Sequence, residues 1–236
     1  MLFLKKKFLK NKFSSFRRRK FTKKNINILK NYWPIFGINL SEHFILNKKK
    51  FLNYFKNFTK FSTILEIGFG SGDYLISQAS KHKNVNFIGI ELYIPGIISC
   101  LKKIIKKNLN NIILIYNNAE YVLKNYFVNN FFKQINIFFP DPWPKNRHKK
   151  RRIISLEFLN ILYKKIVLNG ELNILTDCTN YFDIIKKIVL NNNYKKFFFN
   201  TRYSIKNTKN FVNTKFFKKA IQKKSIIHYL NYSKFF

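Results

Sequence analysis

Between residues 63 and 73 an apolar run, Thr63-Ile64-Leu65-Glu66-Ile67, stops at three glycines on alternate positions, Gly68, Gly70 and Gly72, and Asp73 then opens a stretch of helical period. Glycines at such a strand-to-helix junction let the backbone turn tightly and leave it bare enough for a ligand to approach, because no Cβ stands in the way. The spacing is G-x-G-x-G, and Asp73 occupies the place where a dinucleotide fingerprint requires its third glycine. The loop therefore points away from a nicotinamide cofactor and toward S-adenosylmethionine. Taken alone, the same glycines also fit a plain tight turn.

The pattern set by this junction repeats. Short β-branched or apolar runs alternate with longer stretches of helical period, which predicts βαβ units and a parallel sheet. Strands are expected over Thr63 to Ile67, Val85 to Glu91, Asn111 to Tyr116, Ile135 to Phe139 and Glu171 to Thr176. Helices are expected near Asp73 to Lys81, Pro95 to Lys107, Ala119 to Tyr126, Ile153 to Val167 and Tyr181 to Leu190. Two later runs, Lys196 to Tyr203 and Ser225 to Tyr232, have strand composition with no clear helix between them, and they suggest an antiparallel pair closing the sheet's edge. At 236 residues the chain suits one core with appendages. Residues 1–30 read as a basic, flexible arm and residues 31–236 as the domain. The aromatic segment Asn31-Tyr32-Trp33-Pro34-Ile35-Phe36 either pins the arm to the body or packs as ordinary core.

The formal charge of +36, from 46 Lys and Arg against 10 Asp and Glu, favours a polyanionic partner. Part of that excess reflects the Lys, Asn, Ile and Phe that a strongly AT-biased genome writes at permissive positions. Arginine clusters do not arise that way. Arg17-Arg18-Arg19-Lys20 and Arg147-His148-Lys149-Lys150-Arg151-Arg152 hold most of the arginines, so placement carries the signal. Cys100 and Cys178 have no CxxC spacing or metal-ligand company, and buried reduced thiols are expected, with no metal. The opening MLFLKKKFLK is broken by lysines, and no apolar run approaches transmembrane length. A soluble, cytoplasmic protein without a membrane or an evident obligate protein partner is the expectation.

Three further positions carry chemistry. Glu91 ends the second strand at the spacing where such folds place a ribose-binding carboxylate. After the third strand, Asn118 either accepts from the adenine amine or caps the next helix. The fourth strand runs into Phe138-Phe139-Pro140-Asp141-Pro142-Trp143-Pro144-Lys145, with Arg147, Arg151 and Arg152 close behind. Prolines keep that loop stiff at the carboxyl end of the sheet, so Asp141 is presented to the cleft beside an aromatic face and cations suited to phosphate.

Through Asn31-Tyr32-Trp33-Pro34, Leu65-Glu66-Ile67-Gly68-Phe69-Gly70 and Phe138-Phe139-Pro140-Asp141-Pro142-Trp143, the chain resembles the bacterial tRNA (guanine-N7-)-methyltransferases from about Phe16 to its C-terminal region. The last of these motifs is highly specific. The resemblance implies a Rossmann-like class I methyltransferase fold, with a mostly parallel seven-stranded sheet, helices on both faces and an antiparallel edge. It implies transfer of a methyl group from S-adenosylmethionine to N7 of guanosine 46 in the variable loop of tRNA. It further implies that Glu66, Glu91, Asn118 and Asp141 line the cofactor pocket, that Asp141 is catalytic, and that Lys145, Asp177 and Thr214-Lys215-Phe216 contact substrate. The family has Asp where this chain has Asn118, which keeps an acceptor and loses a charge. It has Glu where this chain has Phe217, which predicts that a polar group facing the substrate is missing. Two other functions fit the same residues less well: methylation of a different RNA base or of an amino group, and RNA binding on a catalytically inactive methyltransferase scaffold.

Overall fold

Nearly continuous burial draws the apolar runs into one sheet. The computed structural model describes residues 22–38, 40, 62–190, 198–204 and 214–234, with residues 190 and 198–204 described for their backbone alone. Five runs form β1 (Thr63–Ile67), β2 (Asn86–Glu91), β3 (Ile112–Tyr116), β4 (Phe132–Phe138) and β5 (Ile166–Thr176), all parallel to their neighbours in this set. Two more, β6 (Phe198–Ser204) and β7 (His228–Lys234), add an antiparallel edge. The order is β3-β2-β1-β4-β5-β7-β6, a seven-stranded sheet. Burial on both faces explains why β2 and β3 read as nearly unbroken apolar runs rather than as alternations.

Helices cover both faces. On one face α4 (Ala119–Tyr126), α5 (Leu156–Lys165) and α6 (Thr179–Leu190) place Leu123, Leu162 and Ile185 against Leu65, Ile137 and Ile174. On the other, α1 (Lys23–Phe36), α2 (Asp73–Lys81) and α3 (Ile94–Lys106) set Trp33, Leu75 and Leu101 against Phe87 and Leu114. The strand order reverses beside β1, whose loop and that of β4 leave from the carboxyl ends of adjacent strands. Open α/β sheets bind ligands at such a switch point.

Several expected boundaries move. The expected break between arm and domain at residue 30 falls inside α1, which Thr22 starts by accepting from the Asn25 N–H at 3.3 Å; Trp33 is buried on it. Residues 1–21 of the expected arm, with the Arg17-Arg18-Arg19-Lys20 cluster, lie outside the described residues, as do 196 and 197. A helix α7 (Lys215–Gln222) lies where none was expected between the last two strands. It buries just Phe217 and Ala220, three residues apart, so its apolar stripe is too short to stand out. β5 begins at Ile166, inside the expected helix Ile153 to Val167, because a bulge at Val167–Gly170 with Asn169 at φ +57° lets the extra residues continue the strand. No helix among the described residues is long and apolar enough to cross a membrane.

Candidate active site

The glycine loop follows β1 with Gly68, Gly70 and Gly72 at φ +74°, +53° and +75°. Only glycine adopts these values without strain. A Cβ on Gly68 would meet nothing within 4 Å, and one on Gly70 would meet Phe216 Cε2 at 3.9 Å. Open space therefore lies in front of the loop. Gly72 differs: a Cβ there would stand 2.4 Å from Cys100 Sγ. Asp73 binds the loop to α3, since Lys103 donates to its carboxylate and to the Ser71 carbonyl, while the Ser71 hydroxyl donates to Asp73 at 2.6 Å. Burial raises the Asp73 carboxyl, but Lys103 and Ser71 outweigh it and hold it below the usual range.

Glu91, at the end of β2, braces the same loop. Its carboxylate accepts from the backbone N–H groups of Gly70 at 2.7 Å, Leu92 at 2.7 Å and Tyr93 at 2.8 Å. Burial still raises its carboxyl above the ordinary range against those donors, and the charge of Asp141 adds to the rise. Glu66, one residue before the end of β1, is 3% exposed, and its Oε2 has no hydrogen-bond partner among the described residues. Burial first, then the negative charges of Glu91 and Asp73, push its carboxyl well above the carboxylate range, against a backbone donor from Leu75. A buried acid with an unsatisfied oxygen beside an open glycine loop fits a ligand that carries a cationic amine. Asn118 caps α4, accepting from the Tyr121 N–H at 2.9 Å. The capping alternative is thus realised, and the second lone pair of Oδ1 is what is left for an adenine amine.

Past β4, Phe139 takes φ +50° and donates its N–H to Leu175 at 2.7 Å, which bends the chain toward the cleft. Asp141 follows with an exposed side chain, and partial enclosure raises its carboxyl. Its negative charge contributes to raising both the Glu91 carboxyl and the Tyr181 hydroxyl. Trp143, at φ +41°, is occupied internally: His148 meets it edge-on at 5.6 Å and the Arg151 guanidinium lies 5.1 Å from its ring. Arg152 donates from Nε to the Pro142 carbonyl at 2.7 Å and lies 4.9 Å from the Tyr181 ring, whose hydroxyl accepts from the Ile154 N–H at 3.1 Å. Arg152 therefore holds the loop, a role its place in a cationic run does not reveal. Lys145, Arg147, Asp177 and Lys215 are exposed.

Thr214 caps α7 by accepting from the Phe217 N–H at 3.1 Å. Phe216 is 56% exposed, stacks with Phe139 at 6.5 Å and points toward Gly70, so the Thr214-Lys215-Phe216 segment closes over the loop. Phe217 is buried with Leu175, Ala220 and Ile227. Its departure from the family pattern thus supplies packing under the cleft where a missing polar group was expected. Tyr181 does not stand out in the sequence as a functional residue, and Phe139 does so only as part of the Phe138-to-Trp143 motif. Phe139, preceding a proline at the end of a strand, offers a signal.

Residues 60–230 match a family described as "Putative methyltransferase". A tRNA (guanine-N(7)-)-methyltransferase of Buchnera aphidicola subsp. Baizongia pistaciae is 45% identical over 175 residues, covering 74% of this chain and 70% of that protein. One from Shewanella amazonensis is 33% identical over 166 residues, covering 68% and 65%. Among solved structures, the 16S rRNA methyltransferase KamB superposes with a TM-score of 0.60 at 11% identity, covering 84% of this chain and 97% of that one, a likeness of fold alone.

Proposed function

Because the chain belongs to the family of tRNA (guanine-N7-)-methyltransferases, we infer that it moves the methyl group of S-adenosylmethionine to N7 of a guanosine in tRNA, at position 46 of the variable loop. One observation carries the assignment of the cleft: the open glycine loop braced by Glu91 lies at the switch point beside the loop that presents Asp141. The reading also places the protein in the cytoplasm with its substrate.

Bound S-adenosylmethionine supplies an electrophilic methyl group on a sulfonium. Gly68 and Gly70 leave the backbone bare where the cofactor would lie, Glu91 would accept from ribose, Asn118 from adenine, and Glu66 would face the amine. Guanine N7 has an in-plane lone pair and no proton, so it would accept the methyl group by direct displacement at the sulfonium without a base, and the ring would become cationic. Asp141 orients the guanine by accepting from its N–H groups and stabilises the developing positive charge. Lys145, Arg147 and Arg151 meet phosphate, and Phe216 closes the cofactor side of the cleft.

Incubation with labelled S-adenosylmethionine and undermodified tRNA, followed by nucleoside analysis, tests the reading. The expected product is 7-methylguanosine. Label on another base or an amino group supports a different methyltransferase, and no label supports a non-catalytic RNA-binding protein.

A further inference from the structure

Glu66 does not stand alone in the sheet. The register pairs it with Asn136 on β4, Asn136 with Asn173 on β5, and Asn173 with Asn231 on β7. Paired positions in a sheet share a face, so four polar side chains form one row across four strands. All four are buried, at 3%, 0%, 4% and 9% exposure. A polar row in an interior persists when its members satisfy one another.

The hydrogen bonds give the row a direction. Asn173 Oδ1 accepts from the Tyr229 hydroxyl at 2.6 Å and from Asn231 Nδ2 at 2.7 Å, which leaves Asn173 Nδ2 to donate to Asn136 Oδ1 at 3.1 Å. Asn136 Oδ1 also accepts from Gln134 Nε2 at 2.7 Å. Both lone pairs of that oxygen are then used, and the orientation of the Asn136 amide is fixed by its partners. Its Nδ2 must point the other way. Among the described residues Nδ2 has no partner, and neither has Glu66 Oε2, the acceptor on the residue it is paired with across β1 and β4. A donor and an acceptor, both buried and both unsatisfied, sit on adjacent residues of one face.

We propose that Asn136 is a positioning residue for the cofactor's amine: the amide row from Tyr229 through Asn173 directs the Asn136 N–H groups toward Glu66 and holds that carboxylate oriented and ionised through one bridging water. This rests on the function inferred above. Burial and the charges of Glu91 and Asp73 oppose ionisation of Glu66 and the Leu75 N–H favours it; a donor from Asn136 would add to the Leu75 contribution. The other titratable groups acting with Glu66 are Tyr74 of α2 and Cys100 of α3, and Lys103, which also acts on Cys100, is engaged with Asp73. No cation on the described elements is bonded to Glu66. An uncharged donor is what remains to favour its anion.

The test is calorimetric binding of S-adenosylhomocysteine, which carries the same amine, to the full chain between pH 5.5 and 9. Asn136→Leu is close to isosteric and removes the donor. Its affinity falls about tenfold for each unit by which the Glu66 titration rises, and the loss shrinks as pH increases, because high pH ionises Glu66 without help. Asn173→Leu leaves the donor but frees its orientation, and gives a smaller loss with the same pH dependence; it also serves if Asn136→Leu does not fold. Asn136→Gln, which restores an amide donor, recovers part of the affinity. In the cofactor-free protein a raised Glu66 titration favours the folded state at low pH, an advantage lost as pH rises through the folded value, so Asn136→Leu extends the decline of stability to higher pH. Unchanged affinity, or a loss equal at every pH, overturns the proposal. If the unmodified chain itself fails to bind S-adenosylhomocysteine, the cofactor assignment falls first, so the two failures are distinguishable.

Discussion

The backbone N–H of Gly70 donates to Glu91 Oε2 at 2.7 Å, so the acid proposed to hold ribose also holds the glycine loop in shape. Glu91→Ala removes both functions at once. Losing a charged acceptor from a buried set of donors costs about 1.5–3 kcal/mol, which predicts S-adenosylmethionine affinity roughly ten- to a hundredfold weaker. Affinity for tRNA stays nearly unchanged. Filter binding for tRNA and calorimetry for the cofactor separate the two, and the opposite pattern means that the cleft is misassigned.

Asp141→Ala leaves folding and cofactor binding largely intact and lowers turnover by about two orders of magnitude or more, as when a preorganised transition-state group is lost. Partial enclosure raises the Asp141 carboxyl. Activity that depends on its anion therefore declines, as pH falls, sooner than an ordinary Asp would require. Single-turnover rates across pH 5 to 8 give this profile, and the Asp141→Ala protein loses the acidic limb.

Gly68→Ala and Gly72→Ala separate backbone strain from crowding. Both residues have φ near +75°, but of the two only Gly72 would place a Cβ in collision, 2.4 Å from Cys100 Sγ. Gly68→Ala is expected to cost about 1–2 kcal/mol from the left-handed conformation, and Gly72→Ala about 1–3 kcal/mol more from overpacking. Denaturant unfolding measures both. Adding Cys100→Ala to Gly72→Ala removes the 2.4 Å contact but leaves the Cys100 Cβ at 2.9 Å, so it recovers part of the crowding cost and none of the strain.

Neutralising Lys145, Arg147 and Arg151 weakens tRNA binding and flattens its salt dependence, with the log–log slope falling by about one for each phosphate that is no longer neutralised. Neutralising Lys106, Lys124 and Lys187, exposed on α3, α4 and α6, changes the slope much less. Arg152 is left out because it pins Pro142 and Tyr181, and Arg152→Gln lowers stability as well as binding. Equal slopes in the two triple variants exclude a dedicated role for this run in holding RNA.

Much of this arrangement is legible in the chain itself. The strand Thr63–Ile67 and the helices Asp73–Lys81 and Ala119–Tyr126 fall where the apolar pattern puts them, because apolar period and turn glycines act locally. What stays hidden depends on long-range partners. Nothing local distinguishes Arg152 from Arg147, yet Tyr181, far along the chain on α6, makes one a brace and leaves the other exposed. Phe217 reads as a missing polar group until Leu175 and Ile227 gather around it. The row from Glu66 to Asn231 spans four strands and has no signature in any one of them, since a single Asn in an apolar run reads as an exception.

The position of β7 also bears on how the protein is made. β7 is synthesised after β6 but lies between it and β5, so β6 has no place in the sheet until residues 228–234 have emerged. The cofactor half, closed by pairings among residues 63–138, has no such wait. A nascent chain therefore holds a formed nucleotide-binding half while the edge of β5 is still bare, and Asn173 lacks both of its donors until the final strand arrives. Completion of the sheet and completion of the amide row are one event, and both wait for residues 228–234.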